Sequence, residues 1–279
     1  MSLYKFVRKN ISKRFRRKLD TFVYNLSQKQ WEGEKLQCPT CHSRAKGFIH
    51  LGEVCGGIFL NSVEMGGVTY PPTQFETFNY ENFMCPMCGS TDRGRLYALY
   101  FDKRLAYVNG AIDVIHFAPD NGLREYLQKQ PKINYKTADL FVKNVDLRLD
   151  LRAMPEIQND SLDCFICSHV LEHIIEDDLA VCELFRVLKP GGWGIMMVPI
   201  MMGLDATFED DSIISKEART KAFGVEDHVR MYARDSFVAK LGRAGFSVLQ
   251  LGQSFFGEGV FKSNGISPTS VLYVVEKHK

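Results

Sequence analysis

The sequence predicts a doubly wound α/β domain preceded by a small metal-binding module, and three observations carry that reading. From Ala111 onward, short apolar runs alternate with longer helical stretches. Ahead of that alternation stand two Cys-Pro-x-Cys pairs. Hydrophobic residues make up 45% of the 279, enough to bury a full α/β core with length left over for a second unit.

The apolar runs are Ile112–Ala118, Tyr135–Asp139, Leu162–Ser168, Trp193–Pro199, Ser247–Gly252 and Val271–Glu276. Strands separated by helices imply a largely parallel sheet covered on both faces. The stretch 31–90 reads differently: Gly, Pro and polar residues punctuate short β-type runs such as Gly47–Leu51 and Ile58–Leu60. Three segments follow: a leading helix at 1–30, a metal module at 31–100 and a catalytic-type domain at 101–279.

The leading segment carries most of the charge asymmetry. The net charge is +2, yet residues 1–30 alone hold a balance of +8, leaving the remainder near −6. Between positions 3 and 27, Tyr4, Val7, Ile11, Phe15, Leu19, Phe22 and Leu26 recur at three- and four-residue steps with Lys and Arg between them, the pattern of a basic amphipathic helix. Such a helix either lies on an anionic membrane surface or packs its apolar stripe inward. The acidic remainder argues against nucleic acid as the main partner. With no run of about 20 apolar residues and no secretory signal, the expected location is the cytoplasm, including the inner membrane face.

Eight cysteines without an export signal favour metal over disulfides. Cys38-Pro-Thr-Cys41 and Cys85-Pro-Met-Cys88 are matching knuckles whose four thiolates suit structural, tetrahedral zinc with no open position for chemistry. Cys164 and Cys167 sit on opposite faces of one strand and do not share an ion. Cys182 fits a buried helix face, and Cys55 has no evident partner.

The run Val114 to Gly122 reads as a strand, a turn and a helix entry, the place where doubly wound sheets hold a nucleotide. Some 20 residues later Asp139 ends a second strand, suited to accept both ribose hydroxyls. Asp150 supplies another acid at a strand end. Then come Asp160-Ser-Leu-Asp163 running to His169-Val-Leu-Glu172-His173, and Glu183 running to Lys189-Pro190-Gly191-Gly192-Trp193.

With those two blocks at that spacing, residues 110–276 resemble the class I S-adenosylmethionine-dependent methyltransferases of the type 11 branch. The resemblance implies a Rossmann-like seven-stranded sheet and S-adenosylmethionine as cofactor. It assigns the first loop to His116, Ala118, Pro119 and Gly122, the ribose acid to Asp139 beside Leu140, and the adenine contact to Asp150 and Leu151. Ser168 and His169 then wall the reactive methyl. This first loop departs from the family's acidic, three-glycine pattern; Pro and Asn-Gly still favour a turn.

A hydroxyl acceptor needs a base, and His169, His173 and His228 are the candidates. The segment Asp227-His228-Val-Arg230-Met-Tyr232 falls between the fifth and sixth strands, where resembling chains place a D-H-x-R-x-Y run, so Asp227, Arg230 and Tyr232 are expected to contact the acceptor. The favoured function is methylation of a small molecule or sugar, such as a glycan component in polysaccharide biosynthesis at the inner membrane face. A zinc-ribbon RNA methyltransferase and a non-catalytic zinc-containing binding protein are the competing readings.

Overall fold

The computed structural model describes residues 29–55 and 61–278. The amphipathic segment 3–27, most of the 1–30 unit and the run Ile58–Leu60 lie outside the described residues, as does the side chain of Cys55. Among the described residues, no helix is long and apolar enough to cross a membrane.

A seven-stranded sheet forms the core: β1 (Ile112–Phe117), β2 (Ile133–Asp139), β3 (Leu147–Arg148), β4 (Leu162–Ser168), β5 (Leu188–Met197), β6 (Ser247–Leu251) and β7 (Leu272–Glu276). Its spatial order is β6-β7-β5-β4-β1-β2-β3, with β7 antiparallel to both neighbours and β1 to β5 parallel. This is the Rossmann-like methyltransferase sheet the sequence predicts. Helices cover it, so β4 buries Cys164, Phe165, Ile166 and Cys167 in a continuous run instead of alternating with polar residues.

The helices start on side-chain caps. Thr91 caps α1 (Asp92–Leu105) by accepting from the Gly94 amide, and Asp120 caps α2 (Asn121–Gln128) by accepting from the Leu123 amide at 2.9 Å. Helix α1 runs unbroken through position 100, where the sequence reading divides the chain. Its first turn touches the cysteine knuckle, while Leu96, Tyr97, Tyr100 and Phe101 are buried in the core of the sheet domain, Phe101 with its ring 5.1 Å from that of Trp193. Cys182, expected on the buried face of α3 (Asp177–Val187), is exposed; Val181 and Leu184 take that face.

The part of the module after residue 61 packs on the sheet domain. A hairpin of Val63–Met65 and Val68–Tyr70 shares a small core with Met201, Met231 and the end of α4 (Lys216–Phe223). Thr77 exchanges hydrogen bonds with Val271, and the Glu76 amide donates to Ile200 O. The segment 61–83 and the insertion between β5 and β6 therefore cover the same end of the sheet, above the C-terminal ends of β4 and β5.

Candidate active site and metal centre

The knuckles fold alike. Cys38 N donates to Ser43 O and His42 N to Cys38 O; Cys85 N donates to Ser90 O and Gly89 N to Cys85 O. His42 (φ 59°) and Gly89 (φ 74°) take the same left-handed step. The turns bring all four sulfurs together, Cys38 to Cys88 at 3.7 Å and Cys41 to Cys85 at 3.9 Å. A tetrahedral ion with metal–sulfur bonds of about 2.3 Å separates its sulfurs by about 3.8 Å, so the donor set fits such an ion. Buried Arg95 ties the second knuckle to the sheet domain, donating to Ser90 O (3.0 Å), Phe83 O (3.2 Å), Asn264 O (2.8 Å) and Gly265 O (2.8 Å).

The cofactor candidates gather by strand register. Phe117 of β1 pairs with Ala138 of β2 and Cys167 of β4, so the next residues, Ala118, Asp139 and Ser168, end one row across three adjacent parallel strands. Neighbouring strands lie about 4.8 Å apart, and the strand order switches beside β1, the place where open α/β sheets bind ligands. Ala118 holds φ +48°, a left-handed step that glycine takes more easily, and its amide extends the ladder to Ala138 O. Asp139 Oδ1 accepts from the Phe141 and Val142 amides at 2.7 and 2.8 Å; among the described residues Oδ2 carries no hydrogen bond and is available to a ribose hydroxyl. Phe141, 83% exposed, presents an aromatic face next to that acid, which suits a purine. Ser168 Oγ meets Tyr97 OH at 2.7 Å.

Other members of the set sit differently. His116 points into the core, its Nδ1 2.9 Å from Tyr135 OH, and burial pushes its pKa down to about 4. It supports the loop from behind. The carboxylate of Asp150 is clamped by the Arg152 side chain and amide, and Leu151 is buried. Pro119 precedes the capping Asp120, while Leu140 is half-buried and its carbonyl accepts from Arg148 Nε.

Beside Ser168 a pocket of about 310 Å³ opens between the strand ends, the 61–83 segment and the insertion. Phe75, Phe78, Tyr80 and Phe83 give it an apolar side; Arg93, His169, Glu172, His173, Asp227 and His228 give it a polar one. His169 stands at φ +55° directly after β4, the kind of strained position that clusters at functional sites. Its Nδ1 lies 3.1 Å from Glu172 Oε1, without the alignment of a hydrogen bond. Burial, with Arg93 nearby, lowers the His169 pKa to about 4, so the ring is neutral near pH 7. The His173 ring meets that of His228 edge-on at 4.7 Å, and its Nδ1 is 3.3 Å from Asp227. Burial also lowers the pKa of His228. A cavity of about 330 Å³ at Arg104, Asp163 and Lys189 lies at the other end of the strands, away from this chemistry.

The D-H-x-R-x-Y run divides at the short strand Arg230–Met231. Asp227 and His228 reach the pocket, whereas Arg230 and Tyr232, expected at the acceptor, are buried behind it. Arg230 donates to Glu209 (2.6 Å), Ile174 O (2.6 Å) and Ile175 O (2.8 Å) and pairs with Asp177 at 3.0 Å; Tyr232 OH donates to Asp177 at 2.6 Å. With every polar edge engaged, they hold the insertion in place instead of binding an acceptor. Arg93 and Glu172 escaped the sequence reading. Arg93 precedes the catalytic block in the chain, and Glu172 reads as part of a helix start until the fold turns it inward.

Residues 109–196 match the family described as a methyltransferase domain. No curated protein sequence matches the chain. Among solved structures, a CurJ carbon methyltransferase aligns with 67% of this chain and 58% of its own, at 13% identity and a TM-score of 0.44. The YcgJ protein from Bacillus subtilis aligns with 66% of this chain and 99% of its own, at 14% identity and a TM-score of 0.42. The phosphoethanolamine N-methyltransferase 2 of Haemonchus contortus, solved with S-adenosyl-L-methionine, aligns with 69% and 54%, at 13% identity and a TM-score of 0.43. The chain thus spans little more than half the length of the first and third of these. The matched stretch, 88 of the 279 residues, runs from the approach to β1 through most of β5.

Proposed function

We infer that the chain methylates a hydroxyl group on a small molecule or sugar held in the pocket beside Ser168. S-adenosylmethionine supplies an electrophilic methyl group when bound. The chain's own task is to place an oxygen against that methyl and receive its proton. The single observation that carries this reading is a pocket of sugar-ring size, part aromatic and part histidine-lined, at the end of the strand row that holds Ala118, Asp139 and Ser168. His169 follows Ser168 directly and is neutral near pH 7, so it is the base of choice; His173 and His228 stand behind it.

In this reading Cys38, Cys41, Cys85 and Cys88 hold a structural zinc ion. The basic segment 3–27 gives the enzyme a peripheral site at the inner membrane face, where a glycan component under assembly would be its acceptor. Incubating the purified protein with radiolabelled S-adenosylmethionine and panels of sugars, lipid-linked glycans and RNA tests it. Label in a sugar or glycan hydroxyl, lost in His169→Ala, supports the reading; label in RNA alone overturns it in favour of a nucleic-acid substrate.

A further inference from the structure

Glu172 is fully buried, and neither carboxylate oxygen has a hydrogen-bond partner among the described residues. An uncompensated buried carboxylate costs several kcal/mol in a folded protein, so the position calls for a cationic partner. Arg230, the nearest buried guanidinium in sequence, is engaged by Glu209, Asp177 and three main-chain carbonyls. What surrounds the carboxylate instead is imidazole: His169 Nδ1 lies 3.1 Å and His228 Nε2 4.0 Å from Oε1, and one ligand atom each from Glu172, His173 and His228 lies within 4.8 Å of the others. On a tetrahedral ion with bonds of about 2.1 Å the ligand atoms stand about 3.4 Å apart, so side-chain rotations that draw the set in by about 1 Å close it.

Resting on the methyltransferase reading above, we propose that Glu172, His173 and His228 bind a divalent transition-metal ion whose open positions face the acceptor pocket. Two imidazoles and one carboxylate favour Zn²⁺, Mn²⁺, Co²⁺ or Fe²⁺ over the all-oxygen cages of Ca²⁺ and Mg²⁺. Three protein ligands leave positions for acceptor oxygens, unlike the closed four-cysteine centre. Adjacent hydroxyls, as a sugar offers, would chelate the ion and be held with one oxygen toward the cofactor side. Asp227 supports His173 from the solvent side at 3.3 Å, an outer carboxylate that fixes the orientation of a ligand imidazole. His169, outside the three-residue set, remains available as a base.

The test is titration of the zinc-loaded protein with Co²⁺, followed by calorimetry, visible absorption and metal analysis, with S-adenosylmethionine titrated on the same samples. The expected result is one Co²⁺ per chain beyond the cysteine-bound ion, with no sulfur-to-cobalt charge-transfer band. His173→Ala, at the pocket rim, and the isosteric Glu172→Gln each weaken that binding by at least about tenfold while the cysteine-bound zinc stays. Absence of the extra ion in the wild type, or undiminished binding in both variants, overturns the proposal. Cofactor binding without the extra ion would remove the metal and leave the methyltransferase reading intact; the extra ion without cofactor binding would do the reverse.

Discussion

Gly122 packs against Ser90 so closely that a Cβ at position 122 would sit 2.6 Å from the Ser90 Cα. Ser90 closes the second cysteine knuckle by accepting from Cys85 N, and Gly122 opens the helix that follows the cofactor turn. The four-cysteine cluster and the turn after β1 are therefore in close contact, and Gly94 presses on Ser90 from α1.

The contact predicts coupling between the two sites. If the four cysteines hold a metal, stripping it, or replacing Cys85 by Ser, should lower S-adenosylmethionine affinity by tenfold or more by calorimetry, although none of these four cysteines lies in the Ala118–Asp139–Ser168 row. Gly122→Ala should do the same with the metal retained, since overpacking there costs about 1–3 kcal/mol. Unchanged affinity in both would show that the module and loop are independent.

Ala118 makes the left-handed step that glycine usually makes. Ala118→Gly should leave the turn intact and hold or improve cofactor affinity, whereas Ala118→Val, β-branched at positive φ, should destabilise the fold by about 1–2 kcal/mol and weaken binding. Denaturant melts and cofactor titration of the two variants check the opposite signs.

The sheet was legible because both faces of its strands are covered: runs such as Leu162–Ser168 stand out as apolar blocks in any window. The four cysteines were legible through paired spacing. Lateral contacts were not. Nothing in the sequence ties Ser90 to Gly122, or brings Phe75 to Phe83 over the strand ends, because those contacts join segments far apart in the chain. Arg230 and Tyr232 were misplaced for a local reason. They share one motif with Asp227 and His228, but the short strand at Arg230–Met231 turns them toward Asp177.

That misplacement gives a third prediction. Arg230→Ala should lower stability by about 1.5–3 kcal/mol, because it removes the donor to the Leu171, Ile174 and Ile175 carbonyls and one partner of the buried Asp177, which keeps Lys240 and Tyr232. The loss belongs in a denaturation curve. A weaker acceptor KM with unchanged stability would contradict the structural role.

His116 sets an acid limit. Its ring titrates near 6.5 when unfolded and near 4 in the fold, so between those values the unfolded chain takes up the extra proton. Its contribution, on the order of 3 kcal/mol, is fully present above pH 6.5 and is lost as the pH falls toward 4. Denaturant melts at pH 7.5 and pH 5 should show a smaller drop for His116→Asn than for the wild type; an equal drop would assign the acid sensitivity elsewhere.

Whether the strand-end row holds S-adenosylmethionine is tested most directly by calorimetric titration of the zinc-loaded protein and its Asp139→Asn variant with S-adenosylmethionine and S-adenosylhomocysteine. The variant keeps the cap on the Phe141 and Val142 amides but replaces the free carboxylate oxygen with an amide. Micromolar or tighter binding by the wild type, weakened on the order of a hundredfold in the variant, is the predicted result. A folded, metal-loaded wild type that binds neither ligand, or a variant that binds both as well as the wild type does, would contradict it.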